Sequence, residues 1–215
     1  MELQIVVKNP KKLSPSIQDM LTQQITVHAQ KSMELLSIPR LTTTVFPNHA
    51  LCIPETGEGG YTPSEHEMEL YIDPTKSDTE LTHIIKNIIP STIYHEAHHA
   101  ARWIKPGYGE TLLEGMITEG LGCMFAEEQF SLFIPPWMTY SKEEIAKLTK
   151  ISLTHNLSHE SYDHTEWFFG KGEKFWLGYK VGTYIVREAK KQSGLTALTM
   201  THMTAKEIFA LSSII

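Results

Sequence analysis

His95, Glu96 and His99 spell H-E-x-x-H within residues 91–103. On an α-helix, residues four apart share a face, so both imidazoles can reach one metal ion. Glu96 is rotated by about 100° from His95. That offset keeps it off the metal but beside the water such an ion activates, where a general base belongs. Neutral imidazole suits Zn²⁺, and a catalytic zinc takes three protein ligands and leaves one position for water. In a chain with 11 histidines the motif can also arise by accident, so its context and a third ligand must carry part of the weight.

The context is a helix with few polar residues besides the motif and His98: Ile93, Tyr94, Ala97, Ala100 and Ala101 line it. A helix apolar on most sides is buried, and buried His95, Glu96 and His99 need a partner to replace their hydration. A metal is such a partner. Downstream, Leu112, Leu113, Met116, Ile117, Leu121, Met124 and Phe125 predict a long helix over residues 110–130. It carries two glutamates of interest. Glu119, 20 positions after His99, shares a side with Leu112, Met116 and Cys123, whereas Glu114 lies near the opposite margin. Periodicity alone does not choose between them.

The elements that must position these groups are legible in part. Residues 3–7 read as a strand, and Ser14-Pro15 opens a helix running to about Leu36. Residues 41–46, 50–53 and 68–72 read as further strands, so the first third is β-α-β-β-β. Residues 55–63 read as a turn region around Gly59-Gly60. The sharper alternative is that this strand or its loop borders the cleft and offers backbone groups to an extended peptide. Ser77 or Asp78 caps a helix that Pro90 interrupts, and Ser91 or Thr92 starts the metal-binding one. Ser141-x-x-Glu144 and Thr204-x-x-Glu207 are capping boxes. His155, His159 and His164 cluster with Asp163 and Glu166, either as solvated loop histidines or as a second metal site. A helix over residues 175–192 carries Gly178 and Gly182, which admit a close neighbour, with Tyr179 between them.

Composition bounds the rest. The 215 residues fit a single domain and can bury a proper core. A net charge of −6 and a pI near 6.0 argue against nucleic-acid and anionic-membrane partners. Cys52 and Cys123 suggest no disulfide framework. The start is unlike a signal peptide, and no apolar run approaches the roughly 20 residues of a membrane span. A cytoplasmic protein is expected.

His95-Glu96-x-x-His99 followed by Thr118-Glu119-Gly120 resembles the gluzincin zinc metallopeptidases, the thermolysin-like group whose third ligand is a glutamate on the next long helix. With Gly59-Gly60-Tyr61-Thr62-Pro63, Glu114, Trp167-Phe-Phe-Gly170 and Gly178-Tyr179-Lys-Val-Gly182, the chain is similar over most of residues 59–213 to a bacterial domain-of-unknown-function family of predicted zinc-dependent proteases. The resemblance implies an α+β, zincin-like fold over 1–215. A small N-terminal mixed sheet would occupy 1–75, the metal-binding helices 76–130, and a mostly helical part 131–215. It implies Zn²⁺ on His95, His99 and Glu119, Glu96 as general base, and a peptide or protein as substrate. Tyr179 or His164 would donate to the oxyanion, although Tyr179 also reads as a core tyrosine. A non-catalytic zinc domain, using the metal for folding or partner recognition, is the alternative. One departure stands out: thermolysin-like enzymes carry an acid four residues after the third ligand, supporting a ligand histidine, and here that position is Cys123.

Overall fold

The structure is a computed structural model describing residues 1–155, 157, 158 and 162–214. The fold is α+β, a small mixed sheet at the N-terminus followed by mostly helical chain. It forms two compact units, residues 1–104 with 129–133, and residues 105–128 with 134–215.

In the first unit, β1 (Glu2–Val7), β2 (Arg40–Pro47), β3 (Glu58–Ser64) and β4 (Glu67–Ile72) form one sheet in the order β1-β2-β4-β3. β1, β2 and β4 run parallel, and β3 is antiparallel to β4 at the edge. Pairing β1 with β2 in parallel demands a crossover, and α1 (Pro15–Leu36) supplies it. Its buried stripe Ile17, Leu21, Ile25, Ala29 and Met33 repeats at helical spacing. On β2 the alternation of buried Leu41, Thr43 and Val45 with half-buried Thr42, Thr44 and Phe46 gives the sheet one covered face. α2 (Asp78–Asn87) starts at a complete Ser77/Glu80 capping box. α3 (Ile89–Ile104) then packs against α1, α2 and the β3-β4 hairpin, and it carries the H-E-x-x-H residues.

Two expectations fail here. Residues 50–53 are no strand: His49–Leu51 is a 3-10 turn, and Ile53 makes one isolated bridge to Glu58. Conversely, the expected turn region holds an edge strand. Glycine and proline are poor strand formers that sheet edges and bulges tolerate, and β3 has a bulge between Tyr61 and Ser64. Pro90 sits in the first turn of α3, where a missing amide costs nothing.

In the second unit α4 (Leu112–Gln129) is followed by α5 (Lys142–Thr154), α6 (His164–Phe169), α7 (Leu177–Ser193), α8 (Ala197–Met200) and α9 (Ala205–Ser212). α7 packs on α5, α6 and α9. It meets α4 backbone to backbone: a Cβ on Gly182 would stand 2.0 Å from the Met116 carbonyl oxygen, and one on Gly120 2.4 Å from Gly182. Gly178 makes room instead for the Phe168 ring. Among the described residues, no helix is long and apolar enough to cross a membrane.

Candidate metal centre

Four-residue spacing on α3 brings the two motif histidines together. Their Nε2 atoms are 2.8 Å apart, with the rings nearly perpendicular. Two imidazole nitrogens on one tetrahedral zinc, each about 2.0–2.1 Å from it, stand roughly 3.3 Å apart. An opening of roughly 0.5 Å therefore suits the pair to such an ion. Donor chemistry agrees, since imidazole nitrogen is a favoured zinc ligand. His99 is buried and His95 half-buried.

Glu96, also buried, turns toward the sheet edge. The Thr62 hydroxyl lies 2.8 Å from its Oε2 and 2.9 Å from its main-chain oxygen. On β3, two residues before Thr62, Gly60 faces the same carboxylate. A Cβ there would fall 2.5 Å from Glu96 Oε1. Trp103 Nε1, two turns along α3, donates to the Thr62 carbonyl at 3.1 Å. A second buried carboxylate, Glu58, accepts from the Thr92 hydroxyl at 2.7 Å. Burial drives the Glu58 carboxyl above its ordinary value, hydrogen bonds from Thr92 and Thr56 oppose this, and the charge of Glu96 adds to the rise.

In the second unit Glu119 is buried on α4, only 4 % exposed, and its Oε1 accepts from the Tyr108 hydroxyl at 2.9 Å. Glu114 has a different occupation. Its Oε2 accepts from the amides of Glu110 and Thr111 and from the Thr111 hydroxyl, at 2.8–3.0 Å, closing the start of α4. Burial opposes ionisation of Glu114, but these hydrogen bonds outweigh it and hold the carboxyl below its ordinary value. Such side-chain acceptors at a helix start satisfy amides that have no partner along the helix.

Tyr179 is half-buried in an aromatic cluster, with ring centroids 5.3 Å from Phe168, 5.7 Å from Trp176 and 5.9 Å from Trp137. His164 stacks on Phe168, and His155 meets the face or edge of Trp167 at 5.0 Å. Asp163 caps α6 through the Glu166 amide. His159 lies outside the described residues.

The sequence offers no signal for Glu58 or Tyr108, and it shows Gly60 as a turn or cleft residue and Thr62 only as a member of the Gly59-Gly60-Tyr61-Thr62-Pro63 motif. The partner of Thr62 on α3 is 34 positions away, beyond any local pattern.

No curated protein matches the chain. The family described as "Predicted Zn-dependent protease (DUF2268)" matches residues 16–210, nearly its whole length. The chain belongs to that family of predicted zinc-dependent proteases.

Proposed function

We propose that the protein hydrolyses peptide bonds with one zinc ion held by His95, His99 and Glu119. The observation that carries this is the convergence of the two Nε2 atoms on α3, with a braced carboxylate on the next residue. Family membership supports it. So does donor type: two imidazoles and a carboxylate are a three-ligand set that catalytic zinc takes.

Zinc, when bound, acidifies a water and polarises a carbonyl. The chain's own residues do the rest. Glu96 takes the proton of the attacking water and passes it to the leaving amine. Tyr179 donates to the carbonyl oxygen as negative charge develops, a part supported by the resemblance and by its half-buried ring. Tyr108 donates to one oxygen of Glu119 and so orients its carboxylate.

The substrate lies extended along β3. The Glu58 carbonyl accepts from the Ile53 amide on the side of β3 away from β4. Amide and carbonyl of one residue point the same way in an antiparallel strand, and alternate residues repeat the direction. Gly60, two residues on, therefore turns both groups outward, beside Glu96. Edge backbone of this kind pairs with extended peptides.

The test is Glu96→Gln, measured for zinc content and for cleavage of a mixed peptide library by mass spectrometry. Glutamine keeps the shape and removes the base, so zinc should stay near one per chain while turnover falls by about 10²–10⁴-fold. Equal cleavage by both proteins rules out Glu96 as the base. Zinc binding without any cleavage by the wild type favours a non-catalytic zinc domain.

A further inference from the structure

We propose that Thr62 is a positioning residue for Glu96, fixing the carboxylate in the orientation from which it takes a proton. This rests on the reading of Glu96 as the general base.

Thr62 is only 3 % exposed and carries a single hydroxyl proton, with two acceptors in reach on Glu96. The residue-96 carbonyl lies in mid-helix, where the amide four residues on is its ladder partner. An ionised carboxylate is the stronger acceptor, so the proton goes to Oε2. Thr62 is itself anchored to the helix it serves. Its hydroxyl meets Glu96, its carbonyl takes the Trp103 indole N–H, and those two residues are seven apart on α3. The bulge between Tyr61 and Ser64 brings the threonine out of regular pairing, and Pro63 keeps residue 62 extended. Gly60 closes the arrangement, because any Cβ there would stand 2.5 Å from Oε1, too close for it to stay in place. The carboxylate is thus set by a donor on one oxygen and a shaped wall against the other. A freely rotating glutamate side chain would spend much of its time elsewhere.

The experiment compares Thr62→Val, which removes the hydroxyl at nearly constant shape, with Thr62→Ser, which keeps it. On the zinc-loaded protein, Thr62→Val should lower kcat by roughly ten- to hundred-fold, with KM within about twofold and zinc content unchanged. Thr62→Ser should recover most of the loss. A second arm needs no activity: metal-stripped wild type, Thr62→Val, Glu96→Ala and the double variant are melted. Residues in contact are not additive, so the double variant should lose clearly less than the two single losses together. Should Thr62→Val fail to fold, Thr62→Cys, a weak donor of similar size, takes its place in both arms. Equal damage from serine and valine, or a loss in KM alone, overturns the proposal. Additive melting with wild-type cleavage intact also overturns it, and leaves the peptidase reading standing. A zinc-loaded wild type that cleaves nothing removes both.

Discussion

Gly60→Ala is the sharpest probe of how the sheet edge sets the active carboxylate. Gly60 has no left-handed backbone angle, so alanine suits its conformation, and the effect must come from the added methyl group. That Cβ would lie 2.5 Å from Glu96 Oε1, 2.6 Å from Cγ and 2.8 Å from Cδ, whereas ordinary contact begins at 3.4 Å. The nearest oxygen therefore has to give way by about 0.9 Å, and a carboxylate pivoting that far strains or breaks its 2.8 Å bond from Thr62. Misplacement of a reacting group by about 1 Å costs on the order of 100-fold in rate. The fold should suffer less, because the displaced atoms belong to one side chain and not to the backbone. An off-rotamer torsion costs about 0.5–1.5 kcal/mol, and each kcal/mol lowers Tm by about 2–4 °C at this chain length. The assay is kcat on a cleaved peptide, with zinc content and melting measured on the same sample. A folded, zinc-loaded Gly60→Ala protein turning over at the wild-type rate would refute the reasoning.

His95→Ala and His99→Ala should each empty the site in metal analysis, because two remaining ligands hold zinc weakly; full occupancy in either would sink the ligand assignment. Glu119→Ala should lose zinc, whereas Glu114→Ala should keep it and lose about 1–2 kcal/mol of stability as the start of α4 loses its acceptor; the reverse pattern would exchange their roles. Glu114 also predicts a pH dependence. Its folded pKa lies below the ordinary 4.5, so its contribution is full above pH 4.5 and is lost as pH falls through the folded value. In metal-stripped protein the Tm gap between wild type and Glu114→Gln should be constant at neutral pH and close in acid, and a gap that widens in acid contradicts this sign. Tyr179→Phe should lower kcat at unchanged zinc content if its hydroxyl meets the developing charge; unchanged kcat removes it from the chemistry.

The pairing of His95 with His99 was legible from spacing alone, since a helix of 3.6 residues per turn brings positions four apart together whatever surrounds it. The same local rule made α1 and α4 readable, local chemistry the cap at Ser77 and the capping box at Thr204, β-branched content β2, and alternation β4. β3 could not be read that way. Gly59, Gly60 and Pro63 are poor strand formers, and the strand exists because β4 pairs with it and α3 packs on it. Gly60 is small for a carboxylate 36 positions later in the chain, and Thr62 is a donor for that same carboxylate. Glu114 and Glu119 show the same limit. Both sit on one amphipathic pattern, and only the local fold reveals that three donors at the start of α4 already engage the first. Periodicity registers which face of an element a residue occupies. What stands opposite that face is decided when distant segments pack.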